Sequence, residues 1–460
     1  MSSPPPPPPR PLTILVCGVS AVGHVNAQTG ATAPFIGAGH RVILLVEEAF
    51  RGQFTSAGFI EDIYQGPKRS SAEKNPGEGL ANTLIKTKLI GGQETPLEKM
   101  ANLIRYYESP DTIANMTFLN AAIVGAINRH KPDLLWYDAN CLMPAVYYSN
   151  LPWVMNLSMT PLFNIQRHPN LPPGGSGLPV KDRSSWEEFE AVRDGFFVSP
   201  GFNDFVEKVL GYRRFPGDRR YPQQHPNQIA TVYNYPKELN YPEVEALPWF
   251  NLEVFNKPKT SVLLESLIPE NFLSERKNLG KYSGKLILVS MGSMASANLE
   301  LMKRLVKILS QTKHQYIVAK GPRHLEYELA ENMTGERFVR QADLLHFVDL
   351  LLCHGGNNSV VEAISMGVPI LAMPHFADQF DNAQRLVETG FGRRLDPVDF
   401  TDQELIGEID GLLYDETLKE KLKKASERIQ CSDHHQVLVK KVEQLVEAWW
   451  AEKKKNRAKN

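Results

Sequence analysis

The sequence predicts an α/β protein built as two doubly wound parallel-sheet domains, and three observations predict it. At 460 residues the chain is too long for one ordinary core, so two domains and connecting pieces are expected. Short apolar runs, closed by glycine-bearing loops and followed by helical patterns, recur through both halves; runs of this length read as strands buried on both faces of a parallel sheet. Between Asp349 and Gly390 the unit strand, loop, helix occurs twice in succession.

In the first half, Leu12 to Cys17 is a strand, Gly18 to His24 its loop, and His24 opens a helix that Gly39 ends. Arg41 to Val46 returns as the second strand, a βαβ start without the GxGxxG spacing of a dinucleotide site. From Gly66 to about Glu108 the chain is polar and poorly periodic, and no element is predicted there. Asp111 to Asn128 reads as a helix with one apolar face, Asp133 to Tyr137 as a strand with Asp138 at its end, and Leu151 to Leu157 as another strand. From about Met159 to Gln228 the chain is rich in Pro, Phe, Tyr, Trp and Arg without a clean period, which suits a lid or the wall of a binding cleft. Ile229 to Tyr233 closes this domain as a strand. The domain ranges that follow are a disordered proline-rich tail (1–10), a first domain (11–235), a linker (236–284) and a second domain (285–460).

The second half opens with a strand from Lys285 to Ser290 that runs into Met291-Gly292-Ser293. A helix over about Leu299 to Gln311, a strand over Gln315 to Ala319 and the run Phe338-Val339-Arg340-Gln341 follow. Asp349 to Cys353 is then a strand that ends on a glycine-rich loop. Asn358 or Ser359 is expected to cap the next helix, and Ser359-Val-Val-Glu362 has the spacing of a capping box. Gly367 ends that helix and Pro369 enforces the stop. Val368 to Met373 is a strand, Pro374 to Gln379 a loop, and Phe380 to Thr389 a helix closed by Gly390. In open α/β sheets ligands sit outside the carboxyl ends of the strands, so both loops are expected to open on one crevice. Gly355 and Gly356 let the backbone approach an anion, which the N–H groups and dipole of a helix start attract. No lysine stands here, which argues against a P-loop and leaves a diphosphate as the better fit.

Jointly, His354, Gly355-Gly356, Asn358-Ser359, Glu362 and Asp378-Gln379 resemble the signature of family 1 UDP-dependent glycosyltransferases, in plants roughly HCGWNSxxE and a closing Glu/Asp-Gln. Asn357 stands where plants carry tryptophan. The resemblance runs from Leu12 to about Gln444 and implies the GT-B fold of a soluble type. In that fold two Rossmann-like doubly wound parallel-sheet domains face across a cleft, and the final helices cross back onto the first domain. It implies that His354 and Ser359, with Gly356 and Asn358, contact the diphosphate, that Glu362 holds the ribose hydroxyls, and that Asp378 and Gln379 hold the sugar. Ser293 lies in SMGSM, similar to the SLGSM that lies beside the phosphates in animal relatives. Phe338, followed by Val339 and Gln341, takes the place of the tryptophan that stacks on uracil in plants. The chain between Gln341 and His354 is shorter than in plant and vertebrate relatives. The irregular aromatic region is then the acceptor wall.

Sugar transfer from UDP to a hydroxyl needs a base, a grip on the leaving diphosphate and orientation of the sugar carbon. His24 is the candidate base, since a helix start disfavours the imidazolium and keeps the ring neutral. Similar enzymes carry their base in this Gly23-His24 position, and Asp138 matches the aspartate that orients it. The expected reaction is a single inverting displacement in which His24 Nε2 takes the acceptor proton. Glu362 favours UDP over TDP through the ribose 2′-hydroxyl, and Gln379 favours glucose, as in glucose-using relatives. No Asp-x-Asp occurs, and the adjacent His434 and His435 cannot share a helix face, so the enzyme is expected to need neither metal nor cofactor, with UDP-glucose as co-substrate.

A formal net charge of -1 gives no reason to expect nucleic acid or an anionic membrane as a partner. No window reaches the ~20 apolar residues of a membrane helix. Trp449 and Trp450 run into lysines, unlike the C-terminal anchor of vertebrate relatives, and are expected to pack on the fold. Cys17, Cys141, Cys353 and Cys431 lack disulfide or zinc spacing, as suits a reduced, cytoplasmic monomer. The expected role is glucosylation of small lipophilic phenols, flavonoids or xenobiotics in detoxification. Two other readings are a UDP-sugar 2-epimerase, which would lack the donor signature, and a non-catalytic sugar-nucleotide-binding partner, which would need neither His24 nor Asp138.

Overall fold

A computed structural model describes residues 10–67, 76–139, 141–220, 225, 227–256, 262–270, 272 and 284–458, with backbone alone for 76–80. The proline run of the amino-terminal tail lies outside the described residues.

The first sheet comprises β1 (Thr13–Gly18), β2 (Arg41–Glu47), β3 (Ile60–Tyr64), β4 (Leu134–Asp138), β5 (Trp153–Leu157), β6 (Gln228–Tyr233) and β7 (Phe250–Asn251), ordered β3-β2-β1-β4-β5-β6-β7 with every pair parallel. The second comprises β8 (Leu286–Ser290), β9 (Gln315–Ala319), β10 (Met333–Glu336), β11 (Leu350–Cys353), β12 (Ile370–Ala372) and β13 (Gly392–Arg394), ordered β10-β9-β8-β11-β12-β13 and again all parallel. The central strands read as continuous apolar runs because helices cover both faces, and β4, β8 and β11 are buried throughout. Each sheet reverses its winding once, between β1 and β4 and between β8 and β11. Those crevices are where doubly wound folds bind ligands.

Among the longer helices, α1 (Val22–Gly37) follows β1, and α2 (Pro76–Lys86), α3 (Pro96–Tyr107) and α4 (Pro110–His130) lie between β3 and β4. α2 and α3 fall in the stretch for which no element was predicted. α3 fully buries only Lys99, Met100 and Leu103, and its helical apolar spacing of Leu97, Met100, Leu103 and Ile104 is short and set in a polar background that obscures it. The legible signal is its cap: Thr95 accepts from the Glu98 N–H while Glu98 reaches back to the Thr95 N–H at 2.8 Å. α5 (Trp186–Phe197) and α6 (Pro200–Lys208) order the aromatic region that lacked a period.

In the second domain α7 (Leu299–Leu309) follows β8, α8 (Asn357–Ser365) follows β11 and α9 (Asp378–Thr389) follows β12; α10 (Asp402–Leu413), α11 (Glu416–Gln430) and α12 (His434–Arg457) end the chain. Two boundaries differ from the sequence expectation. α8 starts at Asn357 after an extended Gly356 with no side-chain cap, so neither Asn358 nor Ser359 caps it and Glu362 is no capping partner. α9 starts at Asp378, which places Asp378 and Gln379 in its first turn rather than in a loop.

The range read as linker includes β7, the edge strand of the first sheet, and Val254 and Phe255 are buried there. α12 lies on the first domain: Leu438, Val439, Val442 and Val446 share one apolar cluster with Ile14, Val16, Phe35 and Trp136. His40 meets Glu443 at 2.9 Å, and Trp450 Nε1 donates to the Asp133 carbonyl at 3.1 Å. At the crossing, Arg428 spans Glu238 at 2.7 Å and Glu253 at 2.5 Å.

Candidate active site

The first crevice holds a histidine and an aspartate on the ends of adjacent strands. β1 delivers the chain into α1, whose first turn contains His24, and β4 ends on the buried Asp138. His24 Nδ1 lies 2.8 Å from Asp138 Oδ1 and leaves Nε2 for the cleft. Ser158 Oγ donates to Asp138 Oδ1 at 2.9 Å and lies 2.8 Å from His24 Nδ1. Asn156 Nδ2 donates to Asp138 Oδ2 at 2.6 Å and is itself held by Trp136 Nε1 at 3.2 Å. Burial would lower the His24 pKa, but Asp138 beside it and Asp378 across the cleft outweigh burial and raise it. The helix end, expected to disfavour the imidazolium, is therefore opposed by these carboxylates, which make the ring a stronger base than a free histidine.

The second crevice faces it. His354 follows β11 and lies against Gly292, whose φ of +70° is left-handed and where a Cβ would stand 2.7 Å from the imidazole; glycine is what lets the β8 turn, with Ser293, close over the ring. Burial drives the His354 pKa down to about 4, so the ring is neutral at ordinary pH. Gln341 Nε2 donates to Ser359 Oγ at 3.0 Å and to Glu362 Oε2 at 3.2 Å. Burial raises Glu362 to about 7, with the Gln341 bond opposing it. Asp378 is raised by burial to about 6, although its Oδ2 accepts the Thr160 N–H at 3.0 Å. Gln379 Oε1 accepts the N–H groups of His375 at 2.9 Å and Phe376 at 3.4 Å, so the side chain offers the cleft its amide donors. Ala377 holds this turn at φ 53° and ψ -135°, a conformation costly for a residue with a Cβ.

Both crevices open on one cavity of about 900 Å³. Every residue assigned to the donor from sequence lines it, from Gly23, Ser293, Phe338, Val339 and Gln341 to His354, Gly356, Asn358, Ser359, Glu362, Asp378 and Gln379; His24 lines it too, and Asp138 stands behind His24. Phe338 is 53% exposed on the rim, with the Arg337 guanidinium 5.0 Å from its ring centre. Asn358 has a second contact that the sequence did not suggest: its Nδ2 bridges the domains to the Gly23 carbonyl at 2.8 Å. Sequence reasoning missed Asn156, Ser158 and Thr160, which lie at and just beyond the end of β5 and were read only as strand and loop.

The acceptor side also differs. Its apolar lining comes from Leu84 of α2, Leu103 and Tyr106 of α3, and Met116 and Leu119 of α4, whereas the long aromatic region contributes Met159 and Phe163. Most of that region's aromatics are buried behind the wall, Phe189, Phe196 and Phe197 against Leu84, Met100 and Leu103 of α2 and α3, and Phe202 and Phe205 in the main core. Among the described residues no group of His, Cys, Asp and Glu is arranged to hold a metal ion, and no helix is long and apolar enough to cross a membrane.

Two parallel-sheet domains with a shared cleft at both winding reversals define the GT-B fold. The chain superposes on the solved glycotransferase of kitacinnamycin with a TM-score of 0.64, 17% identity and coverage of 95% of this chain and 100% of that one. The family profile described as UDP-glucoronosyl and UDP-glucosyl transferase matches residues 274–448. UDP-glucuronosyltransferase 2B16 of Oryctolagus cuniculus is 30% identical over 373 residues, 76% of this chain and 67% of that protein. The chain belongs to the family 1 UDP-glycosyltransferases. Its match to NDP-glycosyltransferase YjiC of Bacillus licheniformis, 30% identical over 154 residues, takes in 32% of this chain and 39% of that relative's length.

Proposed function

We propose that the protein transfers a hexose, glucose by preference, from UDP to a hydroxyl of a small lipophilic acceptor, with inversion at the sugar carbon. The observation that carries this reading is the His24 and Asp138 pair facing Ser359, Glu362, Asp378 and Gln379 across one cavity. In the proposed reaction Asp138 holds the Nδ1–H of His24, and Nε2 takes the acceptor proton as the oxygen attacks C1 from the side opposite UDP. The imidazolium that forms is stabilised by Asp138 and Asp378, the two carboxylates that already raise its pKa. Charge building on the diphosphate is met by the N–H groups and dipole at the start of α8, so no divalent cation is required.

Glu362 supports UDP over TDP because a ribose 2′-hydroxyl would satisfy its buried carboxyl. Gln379 amide donors and Asp378 acceptors suit a hexose rich in hydroxyls. The apolar wall of Leu84, Leu103, Tyr106, Met116 and Leu119 suits phenols, flavonoids and similar foreign or secondary compounds, which makes detoxification the proposed role. Cys17, Cys141 and Cys353 are buried and unpaired, which supports a reduced, cytoplasmic setting, and we take the working unit to be a monomer.

The test is to incubate the purified protein with UDP-glucose, other UDP-sugars and TDP-glucose against a panel of phenols and flavonoids, with EDTA, reading UDP release and product mass for wild type and His24→Ala. Acceptor-dependent release that survives EDTA and collapses in the variant supports the reading. Binding of UDP-glucose without transfer to any acceptor would favour a non-catalytic binding partner. Release of UDP with epimerised free sugar would favour an isomerase.

A further inference from the structure

Three asparagines connect the donor loop to the residues that hold His24, and the chemistry of the ends fixes the direction of the chain. Asn358 Nδ2 donates to the Gly23 carbonyl at 2.8 Å, and Asn234 Nδ2 donates to Asn358 Oδ1 at 3.4 Å. Asn357 Nδ2 donates to Asn234 Oδ1 at 3.0 Å, to the Asn234 carbonyl at 3.2 Å and to the Ser158 carbonyl at 3.3 Å. Two backbone carbonyls, of Ser158 and Asn234, converge on that one atom of Asn357, so it must be the amide nitrogen, and the orientations of Asn234 and Asn358 follow from it. Asn234 and Asn357 are buried.

Both ends of the chain terminate on backbone carbonyls beside the base. Gly23 precedes His24, and Ser158, whose carbonyl takes the Asn357 amide, places its Oγ 2.8 Å from His24 Nδ1 and 2.9 Å from Asp138 Oδ1. Asn357 and Asn358 are the first two residues of α8, the helix whose start faces the diphosphate position. The domains do not depend on this chain to stay together. Asp381 accepts the N–H groups of Gly175 and Gly177 at 2.6 and 3.1 Å, Arg385 donates to the Leu239 and Asn240 carbonyls at 2.8 and 3.2 Å, and Arg428 spans Glu238 and Glu253.

We propose that Asn357 and Asn234 are positioning residues: they seat the His24 ring against Asp138 only while the donor loop is docked, so that the base is aligned in the closed enzyme and slack in the open one. This rests on the transferase reading for its purpose, though not for its geometry. Asn357, which departs from the plant signature, then does work that a tryptophan at that place has no amide to do.

The experiment compares wild type with Asn357→Ala, Asn234→Ala and the double variant. It measures kcat, donor KM, UDP affinity by calorimetry and the NMR shifts of the His24 ring nitrogens at a pH above its titration. Wild type is expected to show Nδ1 protonated and Nε2 bare. Each single variant is expected to mix the two tautomers and to lose kcat by ~10- to 100-fold as alignment loosens, with UDP affinity within about twofold. The double variant should be no worse than the poorer single by more than about threefold, because both act through one chain. Unchanged His24 shifts in the variants would overturn the proposal whatever happens to kcat. So would UDP affinity falling in step with kcat, since the asparagines would then only shape the donor loop. If wild type transfers no sugar but the shifts still move, the coupling stands and the transferase reading fails. Should Asn357→Ala not fold, Asn234→Ala carries the same readouts alone.

Discussion

A base must be neutral to act, yet the site around His24 raises its affinity for a proton. The two facts are compatible when the pKa lies below working pH, because a basic nitrogen takes the acceptor proton more readily. Rate is therefore expected to fall on the acid side, with a midpoint above the ordinary histidine value of about 6.5. Asp138→Asn removes the carboxylate that raises it, so the midpoint should move to lower pH while kcat drops by ~10²- to 10⁴-fold. A pH series of kcat/KM for the two proteins measures both effects. Glu362 makes the complementary case. Raised to about 7, it is largely protonated at pH 6 in the free protein, and a pair of ribose hydroxyls donates more strongly to the two oxygens of the carboxylate than to the acid, which keeps one oxygen as a donor. UDP binding near pH 6 is expected to expel a proton in wild type and not in Glu362→Gln, as calorimetry in buffers of different ionisation enthalpy would register.

At the scale of elements, α9 joins the sugar site to the first domain. Its Asp381 holds the N–H groups of Gly175 and Gly177, and Gly177 has a φ of +61° with room for no Cβ, which would meet Phe380 Cβ at 2.9 Å. Gly177→Ala is expected to cost about 1–3 kcal/mol in urea unfolding. Burial lifts Asp381 to about 7, above its unfolded value, so the folded state binds the extra proton in between. The stability this group contributes is full below the unfolded value of about 4 and is lost as pH rises through about 7. Urea unfolding between pH 5 and 8 should show a flatter dependence for Asp381→Asn than for wild type. Helices such as α9 and the strands before them were legible because each is punctuated by glycine or proline, and the strands are fully buried apolar runs. The exact start of α8 was not, since Ser359 and Glu362 satisfy the spacing of a cap yet answer to Gln341, a residue distant in sequence. The acceptor wall was misplaced for a similar reason. Aromatic composition says that rings will be buried but not against what, and α2 and α3 reach the cavity with only a few apolar side chains.

For the molecule as a whole, the last helix belongs to the second domain by sequence and to the first by contact. Leu438→Ala opens a cavity in the cluster around Ile14 and Trp136 and is expected to cost about 2–5 kcal/mol, read as a lowered midpoint in thermal or urea unfolding. The chain passes between the domains after β7 and passes back between α11 and α12. Two free bodies meeting across a cleft would surrender about 4–15 kcal/mol of translational and rotational freedom. A pair sewn together at two places has already surrendered most of it in folding. What a ligand in the cleft has still to settle is therefore less than two separate bodies would ask of it.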